Sequence, residues 1–505
     1  MKPHSVSGRN RYCRLFPPSP RKPPDYESEE FKEFVNGLLA LIYAMNDESP
    51  TFKPPTQRFA LPAGYTYFGQ FLDHDLTNDA SSAGDTWYLQ PEEILNRQVP
   101  HLDLSHLYGK GPWDDEDCRL YNGIRFRVGE PYGAHGVSFD IAVDTEGHPL
   151  VADSRASENL ILRQLTAVFC RLHNLAVDQF STHYGSDSEA CFKRARLHTC
   201  WQFQLLVIQD YLPKVLDASV YKKVFKRRRP SVHWDRFSIP VEFSAAAMRF
   251  GHSMVRSRYF FLRKDLTLID ILKSARRKGA LAPEHEVDWG RFIQNASSNG
   301  GAPVSAQPID TGITPALLGI PIRIVRLFNS AFLPPPIPEI LAQNKRSEWN
   351  DLTVPLPFLT LLRNAGLRLV DGQTVAEAFE EKRLTTAQLT LDENGEVTAQ
   401  GAALYDNDMV KKTPLWFYIL KESEWKSGGS WLGPTGSHIV AETIYAALLD
   451  DPDSILNHPD LDWCTPPNPQ ERPGICRPLW NVHTQSGQPI RRPLKDLREL
   501  FFYVR

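Results

Sequence analysis

Apolar side chains recur at spacings of three and four along most of this chain. In residues 157–180 (SENLILRQLTAVFCRLHNLAVDQF), Leu160, Leu162, Leu165, Val168, Leu172 and Leu175 follow a 3.6-residue repeat, which predicts a long core-facing helix. The same period runs through residues 193–216, 241–256 and 438–449, and through a stretch near Phe31 to Met45. Strand-like alternation is short and rare, so the pattern predicts a mainly α fold with very little strand. The connections are long. The segment 280–325 is rich in Gly, Pro and Asn, and loops of that length in a compact protein commonly serve a site.

Composition adds domain limits and exclusions. Prolines and basic residues gathered in PPSPRKPP and FKPPTQR mark residues 1–60 as a Pro- and basic-rich arm wrapped round a body at 61–450, and forty prolines overall imply many long connections. Residues 451–505, with their own Pro and Trp clusters, read as an extension packed on that body. With 42% hydrophobic and 23% charged residues the chain is globular, and a net charge of −3 gives no field for gripping a polyanion. Nucleic acid is therefore excluded as a main partner. The run Lys222 to Arg229 reads as a solvated loop. Seven scattered cysteines form no metal cage or disulfide framework and suggest a reducing compartment. Without an apolar leader or any apolar run of eighteen, the expectation is a soluble cytoplasmic protein with no transmembrane segment, or an extracellular one if a leader has been removed.

Chemistry concentrates in three places. Gly69 to Thr77 (GQFLDHDLT) sets His74 between Asp73 and Asp75 in an apolar stretch, where one histidine cannot neutralise both acids. Asp153 to Asn159 (DSRASEN) opens the long helix, with Ser154 or Ser157 available as a cap and with Arg155 and Glu158 on one face. Met248 to His252 (MRFGH) puts a histidine among small residues, which admit a large flat object, although a buried hydrogen-bonded histidine reads equally well.

Together with LDLSHLYG (102–109), RLHNLAV (171–177) and QDYLPKVL (209–216), these segments resemble, in order, the animal-type haem peroxidase superfamily, the myeloperoxidase- and cyclooxygenase-like group. The style of EFSAAAMRFGHSMVR (242–256) and AQPIDT (306–311) is nearest to bacterial and fungal members. The likeness runs over roughly residues 60–450 and implies one large helical haem peroxidase domain binding haem b. It makes His74 the distal histidine, Arg155 the distal arginine, Gln70 the distal glutamine and His252 the iron ligand. Asp73 and Glu158 match carboxylates that some relatives ester-link to haem, and Asn159 stands where myeloperoxidase has its linking Met. Arg249 and Arg363 are implied at the propionates. Thr360 replaces the usual Asn behind the proximal histidine, reaching it through water or yielding to a backbone carbonyl. A calcium site is implied at Asp75, Val99, His101, Asp103 and Ser105, with Val99 in place of a Thr.

The function so implied is reduction of hydrogen peroxide through an oxoferryl intermediate, with oxidation of a small organic, halide or pseudohalide electron donor, as in a response to oxidative stress. A fatty-acid dioxygenase is disfavoured by Arg249, which stands where those enzymes place a radical-forming Tyr. A degenerate haem-binding or interaction protein is disfavoured because Gln70, His74 and Arg155 all remain. Trp201, Trp416 and Tyr418 read as packing residues.

Overall fold

A computed structural model describes residues 1–5, 10–46, 61–79, 89–129, 140–293, 302–328, 333, 335–343, 352–458, 480–483, 489–492 and 494–504. Helices dominate, as the periodicity predicts. Helix α1 (Glu29–Ala44) is capped by Ser28 and buries Phe31, Val35, Leu38 and Ile42. Helix α2 (Gly64–Leu76) is buried along almost its whole length. Helix α3 (Leu160–Tyr184) starts at Asn159, whose side chain accepts the Leu162 amide, rather than at Ser154 or Ser157. Those serines lie in a preceding 3₁₀ turn capped by Asp153.

Helix α4 (Glu189–Leu206) runs antiparallel to α3 across a short turn. Phe68 and Phe71 of α2 meet Phe169 of α3 and Phe203 of α4, with the Phe71 and Phe169 rings stacked at 4.7 Å. This aromatic knot fixes α2 within the core. Strand content among the described residues is limited to antiparallel pairs, such as Arg258–Phe260 with Asp265–Thr267.

The structure departs from the sequence pattern at two helices. The segment 193–216 passes through a π turn, Val207–Tyr211. The segment 241–256 is not one helix. Helix α5 (Val241–Ala245) stops at Ala246, and a 3₁₀ turn carries Ala247–His252. The cause is tertiary: the Asn364 side-chain amide donates to Ala245 O at 2.8 Å, taking the carbonyl an α-helix would offer the Arg249 amide. That amide bonds Ala246 O instead. Ala propensity alone predicts the opposite.

The region expected as a long loop is interrupted by Trp289–Ile293, Pro315–Leu318 and Ile322–Phe328, helices too short to register as a period. Residues 294–301 of that call lie outside the described residues. The basic run is solvated as expected, but Lys222–Lys226 form a π turn that buries Val224 and Phe225.

Both chain ends dock on the helical body. Near the N-terminus, Asn10 O accepts the Asn96 amide and Cys13 exchanges backbone bonds with Ile239 and Val241. The Glu242 carboxylate accepts from the Leu15 and Phe16 amides, and Arg14 donates to Leu367 O at 2.6 Å. At the other end, Leu497–Tyr503 places Phe501 on Trp289, with ring centroids 4.1 Å apart. Much of the 451–505 extension, including Cys464 and Cys476, lies outside the described residues. Cys13, Cys118, Cys170, Cys191 and Cys200 are free thiols. No helix among the described residues is long and apolar enough to cross a membrane.

Candidate functional site

Helix α2 supplies one wall of the principal cavity. Its residues Gln70, Asp73, His74 and Thr77, spaced by three and four, share the cavity face, while Asp75 lies about 100° away on the far side. The helix can sit this close to the π turn because position 69 is Gly. A Cβ there would fall 2.3 Å from the Tyr211 hydroxyl.

Arg155 caps the C-terminal end of α2, donating to His74 O at 3.0 Å and Thr77 O at 2.7 Å. Its Nε and Nη2 also grip Asp153, with a shortest distance of 2.6 Å. Four of its five N–H groups are thus committed, and among the described residues the fifth has no bonded partner. Burial opposes ionisation of Asp153, yet the Arg155 bonds hold its carboxyl well below the usual range. His74 is 6% exposed, and burial, reinforced by the Arg155 charge, pushes it well below an ordinary histidine. It is therefore a neutral imidazole at physiological pH.

Beside it, His74 Nε2 lies 3.8 Å from Glu158 Oε2, and burial pushes Glu158 up to about 7. Gln70 donates to Glu158 at 3.1 Å and accepts from Asn159 at 3.0 Å. Asn159 thus caps α3 and orients Gln70 together.

The opposite wall carries His252 at the end of the 3₁₀ turn, pushed down to about 3 by burial and then by the charge of Arg249. Its Nδ1 lies 3.3 Å from Thr360 Oγ1, on helix α6 (Leu356–Gly366), so Thr360 reaches it directly and neither a water nor a carbonyl is needed. Asn364, one turn on, binds Ala245 O and receives the Trp416 amide, while Trp416 Nε1 donates to Arg249 O at 3.1 Å. Trp416 belongs to helix α7 (Leu415–Ser427) and is fully buried, so it acts as a support. Trp201 and Tyr418 likewise bond backbone, at Asp453 O and the Leu384 amide.

Between the walls lies a cavity of about 480 Å³, within the range of small-molecule and cofactor sites. Arg249, Arg363, Asp79 and Tyr12 line its polar end; Leu268, Leu272, Leu317, Leu356 and Leu359 line its apolar part. Arg363 pairs with Asp79, and Arg249 lies 3.6 Å from Asp73. A Cβ at Gly251, beside His252, would meet no protein atom within 4 Å. One imidazole on each wall, guanidiniums at one end and aliphatic side chains elsewhere fit a haem.

The residues expected to hold calcium are bonded to protein groups. Asp75, fully buried, accepts from His106 Nδ1 at 2.8 Å and the Leu104 amide at 3.1 Å. Val99 O accepts the His101 amide, and the His101 ring binds Asp450 at 3.1 Å. Asp103 binds Arg196 and the Ser105 amide, and Ser105 Oγ donates to Gln98. Among the described residues no group of three or more His, Cys, Asp or Glu is arranged to hold a metal ion. Calcium coordination by this donor set is not shown.

Sequence reasoning brought together Gln70, Asp73, His74, Arg155, Glu158, Arg249, His252 and Arg363 in one cavity, with Thr360 behind His252. It missed the anchoring of Arg155 by Asp153, the pairing of Arg363 with Asp79, and Tyr12. Asp153 was visible as the acid two residues before Arg155; nothing local marks the other two.

Known proteins resemble this chain in sequence and in fold. Residues 79–278 match the family model described as Animal haem peroxidase. The chain is 30% identical over 190 residues to the peroxidasin homolog pxn-2 of Caenorhabditis elegans, a match covering 34% of this chain and 14% of that protein. It is 26% identical over 196 residues to thyroid peroxidase of Sus scrofa, covering 34% and 21%. The matched stretch therefore spans a quarter or less of such relatives. Among solved structures, peroxidase A from Dictyostelium discoideum superposes with a TM-score of 0.58 at 14% identity, covering 90% of this chain and 93% of that one. The fatty acid alpha-dioxygenase of Arabidopsis thaliana superposes with a TM-score of 0.59, also at 14% identity, covering 88% and 73%. At that identity the likeness is one of fold.

Proposed function

We propose that the chain is a member of the animal haem peroxidase superfamily and acts as a haem peroxidase, reducing hydrogen peroxide at the expense of a small organic, halide or pseudohalide donor. The observation that carries the reading is a neutral, buried His74 held beside an anchored Arg155, across one cavity from His252. His252 would hold haem from beneath, with Arg249 and Arg363 at its carboxylates. The group, when bound, supplies the redox-active iron.

The remaining work falls to the chain. His74 takes the proton from the inner oxygen of peroxide and returns it to the departing oxygen as water, which requires the neutral imidazole that burial enforces. The one uncommitted N–H of Arg155 supplies a fixed positive donor where negative charge develops on the departing oxygen. Gln70, pinned between Glu158 and Asn159, positions peroxide or water beneath His74. Thr360 supports the proximal imidazole through Nδ1. With Nδ1 protonated, Thr360 Oγ1 accepts its N–H, and a hydroxyl is a weaker acceptor than a carboxylate, so it leaves that imidazole less anionic.

Asp73 and Glu158 are available for ester links, Glu158 being protonated over part of the neutral range. Porphyrin retained by the protein after acidic organic extraction would report such links. Asn159 has no sulfur to offer, and its two amide bonds are already used, so oxidation of chloride is not proposed. The dioxygenase reading is opposed by Arg249, which carries no radical-forming phenol.

The test is a spectrum of haem-reconstituted protein followed by peroxide with guaiacol and with bromide. A ferric Soret band and rapid donor oxidation are expected. Peroxide-independent oxygen uptake with linoleate would favour the dioxygenase, and a Soret band without turnover of either kind would leave a haem-binding protein.

A further inference from the structure

The polar end of the cavity holds a side chain that comes from the far end of the sequence. Tyr12 is 1% exposed and lines the cavity with Asp73, Thr77, Asp79, Arg249 and Arg363. Its backbone is fixed on both sides. Asn10 is bonded to Asn96, which in turn donates to Leu76 O at the end of α2. Cys13 is bonded to Ile239 and Val241, at the head of the segment that carries His252. The short strap 10–16 thus spans from the wall bearing His74 to the wall bearing His252, and presents Tyr12 between them.

The charges around the phenol define what it can bind. Burial raises Tyr12 to about 12, opposed most strongly by Arg363, so it keeps its proton throughout the neutral range. The two cations at this end do not arrive unopposed: Arg363 faces Asp79, and Arg249 faces Asp73. A carboxylate entering here meets guanidiniums already partly neutralised by aspartates. A neutral O–H donor then strengthens its binding without adding charge to be balanced.

We propose that Tyr12 is a cofactor-anchoring residue, its hydroxyl donating to a carboxylate of the bound porphyrin beside Arg363. The assignment rests on the haem reading above. It makes the N-terminal strap part of the binding site.

The test uses the full chain and zinc protoporphyrin IX, whose redox-inert metal forms no oxidative link to the protein. Binding is followed by porphyrin fluorescence, for the diacid and for its dimethyl ester, which keeps the ring and loses the carboxylates. Tyr12→Phe keeps the ring volume and removes only the hydroxyl. It is expected to bind the diacid about tenfold more weakly than wild type, and the ester equally well. Tyr12→Leu, measured alongside, deletes the hydroxyl through a different side chain, so a folding defect peculiar to one variant does not decide the result. Equal affinity of wild type and both variants for the diacid overturns the role of Tyr12 and leaves the haem reading standing. An equal loss for diacid and ester also overturns it, since the hydroxyl would then be supporting the fold. Failure of wild type to bind either porphyrin overturns the haem reading and this inference with it.

Discussion

His74, Glu158 and Arg155 show how burial sets protonation in this site. Folding raises Glu158 from 4.5 to about 7, because burial penalises its charged form. The sign follows: the protonated acid folds without penalty below about pH 4.5, and stability is lost as pH rises towards 7, by roughly 3 kcal/mol in all. Glu158→Gln should abolish that share of the loss, measured as the difference in unfolding free energy of the haem-free chain between pH 5 and pH 8. Identical pH dependence in both proteins would sink the assignment. Glu422 shifts in the same direction, so only the difference between the two proteins is informative.

His74→Ala should retain haem but lose the rapid reaction with peroxide, by about 10²- to 10⁴-fold in a stopped-flow measurement. Unchanged turnover would remove His74 from its role. Asp153→Ala leaves Arg155 tethered only by carbonyls. The expected loss of kcat/KM is about 10- to 100-fold, with the Soret band unmoved. At this scale the sequence was informative wherever several chemical residues sit within one turn of each other, as at 70–77 and 153–158. It was silent on Asn364, whose effect on Ala245 depends on a contact made across more than a hundred residues.

Among the elements, α2 and the turn bearing His252 differ in how far pattern determined them. Helix α2 is buried on nearly every face although it carries Gln70, Asp73, His74 and Asp75, so it was legible by its chemistry rather than by a period, and its placement follows from Phe68 and Phe71 in the aromatic knot. The small-residue run before His252 is intrinsically helical and was read so, but Asn364 diverts one carbonyl and the helix breaks. Close approach of α2 to the π turn makes a sharp prediction. Gly69→Ala should destabilise the fold by about 1–3 kcal/mol in denaturant titration, since its Cβ would overlap the Tyr211 hydroxyl. Tyr211→Phe should restore part of that loss in the double variant. Additive losses would show that the contact is not the cause.

For the whole molecule, the helical class, the two-walled cavity and most of its chemistry were legible, whereas the long-range ties were not. Asp140 and Arg163 form a fully buried pair, 2.7 Å between Oδ1 and Nε. Arg163 also donates to Ala275 O and Gly279 O, and Asp140 accepts the Leu281 amide. The pair therefore binds α3 to the segment 275–281. Arg163→Met should lower unfolding free energy by about 3–5 kcal/mol, since it strands a buried carboxylate. A loss under 1 kcal/mol would mean that water reaches the site.

Such ties set the order in which the molecule is completed. The strap 10–16 precedes its partners in the chain, and Arg14 finds its carbonyl at Leu367, 353 residues later. Its partners at 239–242 and 367 must exist before it can settle, so the strap closes only after segments that follow it by more than two hundred residues have been made. Until then the gap it will span stays open on one side.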